Sequence, residues 1–215
     1  MDKGIVVSCQ AESDSAFNDV NSIVSFAKEA TRGGAVGLRI RDVDNVQKVS
    51  HDIDLPIIGL TKSYYENGDV WITPDSNSAK QLFECGIEYV AMDATGRAGY
   101  EHIENTFSEA NGLIIGDISH INQANNALKY GCEMLSTTLS GYTSNCDVDM
   151  SKPDFNLLKE LIYNFSDVPI IAEGRYWEIE DVKKAFDMGA NNVVIGTAIT
   201  RPHLITKRYV EAYNG

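Results

Sequence analysis

Eight short apolar runs, rich in β-branched residues, recur along the chain and constrain its fold more than any other feature. Each run is continuous rather than alternating in polarity, which is typical of parallel strands buried on both faces. Amphipathic stretches separate the runs. Ile179, Val182 and Phe186, for example, fall at i, i+3 and i+7, as on one face of a helix. The predicted strands are Gly4–Cys9, Ala35–Arg39, Pro56–Leu60, Tyr89–Met92, Leu113–Gly116, Met134–Thr137, Pro169–Ala172 and Asn192–Ile195.

This alternation predicts the fold class. Eight βα units within 215 residues match a compact (β/α)8 TIM barrel, an α/β fold in which an outer ring of helices encloses eight parallel strands. Gly86, Gly131 and Gly189 each stand three residues before a predicted strand, where a left-handed cap would end the preceding helix. Asp54–Gly59 also resembles Asp167–Ala172, half a barrel away. We therefore expect residues 1–215 to form a single catalytic domain.

The charge balance and the cysteines bear on partners and compartment. Asp and Glu outnumber Lys and Arg by 31 to 18, giving a net charge of −13, which is unfavourable for binding a nucleic-acid backbone. The sequence shows no secretory signal and no apolar run of about 18 residues. Its four cysteines form neither a CxxC pair nor a zinc-ligand spacing. We expect a cytoplasmic protein with a small-molecule ligand and with neither a nucleic-acid nor a membrane partner.

Polar residues mark the ends of the predicted strands. In a barrel of this kind, side chains at the carboxyl ends of the strands converge on one mouth. A solvated loop residue would explain any one of them, but the same placement at eight strands favours a shared site. The residues at these ends are Gln10, Arg39, Lys62, Asp93, Asp117, Thr137–Thr138, Glu173 and Gly196–Thr197.

The last two strand ends predict a phosphate site. Glycine lets a ligand approach the backbone closely, and free N–H groups at the start of a helix attract anions. Gly174 follows the seventh strand, and Gly196 and Thr197 follow the eighth, whose loops often bind phosphate in barrels. Arg175 and Arg201 are placed to add charge-assisted hydrogen bonds. The alternative is that these glycines only form tight turns.

Lys62 and Glu173 form the candidate acid–base pair. Strands three and seven lie on opposite sides of an eight-stranded barrel, so the two side chains can reach a bound substrate from two directions. General acids and bases of this kind contribute ~10²–10⁴-fold each to a rate. Lys62 as a solvated loop residue, and Glu173 as the partner of a neighbouring arginine, remain alternatives. Lys62 could also form a Schiff base with a carbonyl substrate, as class I aldolases do.

Other residues near the mouth leave further chemistry open. Asp93 and Asp117 can hold sugar hydroxyls, order a lysine or bind a metal. Because no histidine stands at a strand end, although His120 begins a predicted helix, we expect no metal site. The sequence has no glycine-rich nucleotide motif, and no cofactor is predicted. Cys9 is expected to be a packed, unreactive thiol, and the polar loop 140–147 to be either a lid or a surface connection.

Eight segments spread over the chain match one known family in their order. They are Val6–Gln10, Gly33–Arg39, Pro56–Lys62, Asp69–Thr73, Asp93–Thr95, Thr137–Thr143, Ile171–Arg175 and Ala198–Pro202. Each segment alone is unspecific, but their order and coverage are specific. On these residues the chain resembles the N-acetylmannosamine-6-phosphate 2-epimerases of sialic-acid breakdown.

The resemblance implies a (β/α)8 isomerase, without metal or nicotinamide, that interconverts N-acetylmannosamine 6-phosphate and N-acetylglucosamine 6-phosphate. It also implies a homodimer. By this resemblance the catalytic residues are Lys62 and Glu173. The residues that contact the sugar are Gln10, Arg39 and Asp117, to which we add Thr138 from its strand end. The phosphate contacts are Gly174, Arg175, Gly196 and Thr197, with Arg201 nearby.

The chain departs from the family pattern at loop edges. Ser63-Tyr64-Tyr65 stands where the family usually has Arg-Asp-Tyr, and Gly196-Thr197 stands where Gly-Gly or Gly-Ser is commoner. Only Gly96-Arg97 remains of a basic run. We expect these changes to affect affinity and rate more than reaction type. Two other functions stay open: a Schiff-base aldolase or other phosphosugar isomerase, and a non-catalytic sugar-phosphate sensor.

Overall fold

Eight parallel strands close into a barrel, which confirms the predicted fold class. The computed structural model describes residues 1–64, 70–97, 99–143 and 148–214. The barrel consists of β1, β2, β3 and β6 to β10, and β4 pairs with β5 in a separate two-stranded sheet. The strands are β1 (Gly4–Cys9), β2 (Gly37–Arg41), β3 (Ile57–Leu60), β4 (Lys62–Tyr64), β5 (Val70–Ile72), β6 (Tyr89–Asp93), β7 (Leu113–Asp117), β8 (Met134–Ser136), β9 (Ile170–Glu173) and β10 (Asn192–Ile195).

Helices surround the barrel and begin or end at recognisable caps. The Asp19 side chain accepts backbone N–H groups at the start of α1, and Gly189 ends α7 in the left-handed conformation, at φ 117°. Gly86 and Gly131 also have positive φ, as their spacing predicts. The helices are α1 (Val20–Arg32), α2 (Val43–Asp52), α3 (Ser76–Glu84), α4 (Glu101–Glu109), α5 (Ala124–Lys129), α6 (Phe155–Asn164), α7 (Ile179–Met188), α8 (Thr197–Thr200) and α9 (Pro202–Asn214). Within the described residues, none of them has the length and apolar character needed to span a bilayer.

Strand β2 lies two residues later than predicted. Its register places Gly37 opposite Val6 and Arg39 between Ser8 and Ile58, so Arg39 sits in mid-strand rather than at the strand end. The prediction treated the charged side chain as the end of an apolar run. Leu38 instead packs outward against the helices, while the Arg39 side chain is 1% exposed and lies with charged partners inside the barrel.

The β4–β5 hairpin was not predicted. It follows β3 directly and pairs Lys62 with Ile72 in antiparallel register. The Ile72 side chain joins the apolar cluster inside the barrel, together with Ile58 and Leu60 of β3. Lys62 is therefore held on a short insertion over the barrel mouth rather than on a barrel strand.

Candidate active site

A cavity of about 460 Å³ opens at the carboxyl ends of the barrel strands. Its size lies within the usual range for a small-molecule site, ~300–1,000 Å³. The structure brings ten of the eleven predicted site residues together on its wall. These ten are Gln10, Arg39, Lys62, Thr138, Glu173, Gly174, Arg175, Gly196, Thr197 and Arg201.

Asp117 is the predicted residue that does not line the cavity. It ends β7 with no exposed surface and lies against Arg39, with which it forms an ion pair and a second, longer contact of 3.4 Å. Burial raises the pKa of the Asp117 carboxyl, and the adjacent guanidinium opposes that effect. In this structure Asp117 orients Arg39 rather than facing the space where a sugar would lie.

Arg39 connects Asp117 to Glu173. Its Nη1 lies 3.2 Å from Oε2 of Glu173, whose side chain is 15% exposed. The Glu173 backbone is fixed by Thr137, whose hydroxyl accepts from the Glu173 N–H at 2.9 Å and donates to the Glu173 carbonyl at 2.8 Å. Burial raises the pKa of Glu173 against the opposing effect of Arg39, and the nearby Asp117 raises it further. The pKa of Glu173 is thus shifted in the direction that suits a proton carrier.

Thr138 gives an independent reason to place a proton on Glu173. Its Oγ1 lies 3.0 Å from Asp117 Oδ1 and 3.0 Å from Glu173 Oε2. A hydroxyl has one proton to donate, so only one of these contacts can be donated by Thr138. The other is a hydrogen bond only where that carboxyl carries a proton. Because Asp117 is the closer partner of Arg39, Glu173 is the better carrier of that proton.

Lys62 enters the cavity from the opposite side, at the start of β4. Its pKa is lowered to about 8, chiefly by burial and further by the cations Arg41, Arg201 and Arg39, while Glu173 acts in the opposite direction. A lysine with this pKa is partly a neutral amine near neutral pH and can act as a base.

The ends of the seventh and eighth barrel strands, β9 and β10, form the expected open, glycine-lined wall. Gly174 has φ 112°, and a Cβ there would meet no atom within 4 Å. A Cβ on Gly196 would approach the Ser8 Cβ to 3.3 Å. Arg201 lines the cavity and forms an ion pair with Glu12. Lys62, Arg39 and Arg175 are further cations that line the same cavity.

The guanidinium of Arg175 has a task that the sequence did not suggest. It donates to the carbonyl oxygens of Lys152 and Ser140, each at 2.7 Å. Arg175 itself has φ 64°, a left-handed conformation that is strained for a side chain of this kind. Through its two hydrogen bonds, the Arg175 guanidinium links the segment after β8 to the turn after β9. Half of the loop proposed as a lid, residues 144–147 of 140–147, lies outside the described residues.

The cavity wall also contains Ser8, which lies against Gln10, and nine other residues that were not identified from the sequence. Gln10 donates to Ser8 Oγ at 2.9 Å, and its buried Oε1 has no hydrogen-bond partner among the residues described. An acceptor left open in this way suits a ligand N–H or O–H. Side chains two residues apart on a strand point to the same face, so the position of Ser8 two residues before Gln10 could have identified it as a cavity residue. The other residues of the wall are Val70, Ile72, Leu139, Tyr142, Tyr176, Trp177, Val194, Thr200 and Leu204.

Three other candidates lie apart from the cavity. Asp93 is ion-paired with Arg97. His120 caps a 3-10 turn by accepting from the Asn122 N–H at 3.3 Å. Cys9 is a buried free thiol whose pKa burial raises to about 12, which confirms an unreactive cysteine. Over the described ranges, no group of three His, Cys, Asp or Glu side chains is arranged to hold a metal ion.

Comparisons with known proteins agree on one family. Residues 23–215 match the family model described as "Putative N-acetylmannosamine-6-phosphate epimerase". A curated protein of Clostridioides difficile (strain 630), named "Putative N-acetylmannosamine-6-phosphate 2-epimerase", is 37% identical over 213 residues, covering 97% of this chain and 95% of its own length. A protein of the same name from Clostridium perfringens (strain SM101 / Type A) is 38% identical over 212 residues, covering 96% and 95%.

A solved structure is equally similar. It comes from a structural and biochemical characterization of the N-acetylmannosamine-6-phosphate 2-epimerase from Clostridium perfringens. It superimposes with a TM-score of 0.90 at 34% identity, covering 98% of this chain and 93% of that one. The similarity therefore extends over nearly the whole length of both chains.

Proposed function

The chain belongs to the N-acetylmannosamine-6-phosphate epimerase family, and from that premise we propose that it interconverts N-acetylmannosamine 6-phosphate and N-acetylglucosamine 6-phosphate, with Lys62 and Glu173 as its proton carriers. One observation carries the assignment of residues. Lys62, just after the third barrel strand, and Glu173, at the end of the seventh, line one cavity from opposite sides. Inversion at a carbon requires a proton to leave one face and another to arrive at the opposite face.

The chemistry begins with ring opening. The C2 proton is acidic only when C1 is an aldehyde, because the carbonyl then accepts the electron pair left at C2. Removal of the proton gives a planar enediolate with negative charge on O1. Arg39 lies at the base of the cavity, where it can stabilise this charge, and Lys62 adds its own charge once it is an ammonium.

The proton count is balanced in this arrangement. A neutral Lys62 with a protonated Glu173 carries the same number of protons as an ammonium with a carboxylate. In one direction the amine takes the C2 proton and the carboxylic acid returns one to the other face. In the reverse direction the carboxylate takes the proton and the ammonium returns one. The lowered pKa of Lys62 and the raised pKa of Glu173 bring the two forms closer in energy than they are for the free side chains.

The glycine-lined wall would hold the phosphate. Gly174, Gly196 and Thr197 line this wall, a Cβ on Gly174 would meet no atom within 4 Å, and Arg201 supplies a cation at the same wall. Gln10 and Thr138 then face the sugar. A phosphate fixed at this wall would extend the opened chain so that C1 and C2 reach the proton carriers.

An NMR assay of purified protein with N-acetylmannosamine 6-phosphate tests the activity. We expect N-acetylglucosamine 6-phosphate to accumulate to equilibrium at the same rate with and without EDTA. Unphosphorylated N-acetylmannosamine serves as the matched substrate and should react far more slowly, because it lacks the group that anchors the chain. Absence of product from the phosphorylated sugar would contradict the proposed function.

We further propose that the enzyme is a homodimer in the cytoplasm. Helix α9 spans 13 residues without one buried side chain, and Tyr209, Val210 and Tyr213 on it are exposed. Exposed apolar and aromatic side chains on one helix favour burial against a second copy. The free thiols of Cys9, Cys85 and Cys132 suit a reducing compartment.

Light scattering should give about twice the chain mass of 23.7 kDa, and Tyr209→Glu should shift the protein toward the monomer. A monomeric wild-type protein at micromolar concentration would contradict this proposal.

A further inference from the structure

Lys62 depends on contacts outside its own strand for its position. It begins a hairpin of two three-residue strands, β4 and β5. A two-stranded hairpin is at best marginally stable in water. The placement of the Lys62 amine over the cavity is therefore set by whatever fixes the hairpin to the barrel.

The base of the hairpin is fixed by two threonines. The Thr73 N–H donates to the Thr61 carbonyl, and the Thr61 N–H donates to Thr73 Oγ1, both at 3.0 Å. Ile72, which is opposite Lys62, is 3% exposed and packs inside the barrel. These contacts close the hairpin at one end. In its second half, formed by the pairs Ser63–Trp71 and Tyr64–Val70, the Val70 side chain packs against the same apolar cluster as Ile72.

Arg97 contacts that second half of the hairpin. Its Nη2 donates to the Val70 carbonyl at 3.1 Å, and its guanidinium lies 4.8 Å from the centre of the Trp71 ring. A guanidinium can stack on a ring and donate in its own plane at the same time, which a lysine ammonium cannot do. Arg97 thus holds β5, the strand that pairs with the one carrying Lys62.

Arg97 is itself fixed to the barrel by Asp93, the last residue of β6. The two form an ion pair, and the Asp93 side chain is 4% exposed. Arg97 Nε also donates to Thr95 Oγ1 at 2.9 Å, and that hydroxyl donates in turn to Asp93 Oδ1 at 2.6 Å. A continuous set of polar contacts therefore runs from a barrel strand through Asp93 and Arg97 to the hairpin.

We propose that Arg97, held by Asp93, is a positioning residue for Lys62. It keeps the hairpin over the barrel mouth, so that the amine stays desolvated and faces the substrate. The charged groups that act on this amine are Arg41 and Arg39 of β2, Arg201 after α8 and Glu173 of β9. None of them belongs to the hairpin, so the position of the hairpin sets their distances from the amine. Only the expected effect on kcat rests on the proposed catalytic role of Lys62.

The test measures Lys62 directly. Wild-type protein, Arg97→Met and Arg97→Lys are acylated briefly with acetic anhydride at a series of pH values, and the modification of Lys62 is quantified by peptide mass spectrometry. In the wild type, Lys62 should titrate at about 8. In both variants we expect its midpoint to rise by about one pH unit or more, because the amine regains water. Arg97→Lys keeps the charge, so a shared shift assigns the effect to geometry.

The kinetic readout should follow the same change. We expect kcat to fall by ~10–100-fold in both variants, since a displacement of about 1 Å can cost a factor of that size. KM should change by less than about threefold because the phosphate wall is untouched. The acid limb of the pH–kcat profile should move upward together with the acylation midpoint. Asp93→Asn should move both midpoints in the same direction, and it tests the inference even if Arg97→Met does not fold.

Arg32→Met is the matched control, because Arg32 pairs with Glu29 on the exposed surface of α1. It should leave the acylation midpoint and kcat unchanged. Folded Arg97 variants in which Lys62 titrates as in the wild type would overturn the inference, even if their stability or kcat fell. The acylation midpoint can be measured without turnover, so it tests this inference separately from the proposed function. An inactive wild-type protein would contradict the proposed function, whereas the positioning role of Arg97 would still be decided by the acylation midpoints.

Discussion

Replacing Glu173 by glutamine will lower kcat by ~10²–10⁴-fold, the range that a general acid or base contributes. The amide has nearly the same shape and can still occupy the place of the carboxyl beside Thr138, which lies 3.0 Å from Oε2 in the wild type. It cannot carry the proton that inversion requires. KM should change little, since the phosphate wall and Gln10 are untouched. Initial rates in both reaction directions provide the measurement.

Proton exchange in deuterated water makes this prediction sharper. In Glu173→Gln the amine of Lys62 remains, so one of the two sugar epimers should exchange its C2 proton with solvent without being converted. In Lys62→Met the carboxyl remains, and the other epimer should exchange. Complementary exchange of this kind assigns one face of C2 to each residue. Near-normal turnover in either variant would remove that residue from the mechanism.

Loss of folding can be separated from loss of chemistry. Burial raises the pKa of Glu173, so its contribution to stability is fully present below the pKa of an unfolded glutamate, about 4.3, and is lost as the pH rises through its folded value. Glutamine carries no such penalty, and the variant should unfold at the same urea concentration as the wild type or at a higher one at neutral pH. Glu178→Gln, at an exposed glutamate paired with Arg208, is the matched control and should retain wild-type turnover.

Replacing Arg39 by methionine will lower the free energy of unfolding by ~3–5 kcal/mol at neutral pH, the usual cost of leaving buried charges without their partner. Arg39 is the shared cation of Asp117 and Glu173, and the three side chains are 1%, 0% and 15% exposed. Without the guanidinium, two carboxyls face each other through Thr138 in a setting that excludes water. Urea unfolding followed by circular dichroism measures the loss.

The loss of unfolding free energy in Arg39→Met should depend on pH in a defined direction. Burial already raises the pKa of Asp117 and of Glu173 with Arg39 present, and removal of the cation raises both further. A carboxyl whose folded pKa lies above its unfolded value, ~3.9 for Asp and ~4.3 for Glu, stabilises the fold below that value and ceases to do so as the pH rises. The difference from the wild type should therefore be smallest in acid and grow above about pH 4.

A double variant distinguishes charge from shape. Arg39→Met combined with Asp117→Asn removes the cation and one of its anions, and it should recover a substantial part of the lost free energy of unfolding. A single Arg39→Met variant as stable as the wild type at neutral pH would contradict the role given to this ion pair. So would a deficit that is the same at pH 4 and pH 7, because burial of charge is the stated cause.

The fold was predictable because local patterns carry it. Apolar runs such as Asn192–Ile195 and caps such as Gly189 are determined by residues close together in the chain, and both were predicted correctly. Strand β2 was placed two residues too early because Arg39 was treated as an end signal. A buried arginine in mid-strand is stable only beside carboxylates, and these come from residues 117 and 173, which no local pattern connects to it.

The site was predictable as a set of positions but not as a set of contacts. The convergence of strand ends follows from barrel geometry, and it brought Lys62, Glu173 and the glycines of the last two strands to one cavity. The hairpin that carries Lys62 was missed because part of it has no strong strand pattern. The places of Asp117 beneath Arg39 and of Arg175 against the Ser140 carbonyl depend on side-chain directions that only the closed barrel fixes.

The most direct measurement follows N-acetylmannosamine 6-phosphate and wild-type enzyme in deuterated water by NMR. If Lys62 and Glu173 exchange protons at C2 from opposite faces, the first N-acetylglucosamine 6-phosphate formed will carry deuterium at C2, while unreacted substrate keeps its proton in the early time points. The same time course with Glu173→Gln should yield no labelled product. Product that retains the original proton at C2 throughout the reaction would contradict proton transfer through two solvent-exchangeable residues.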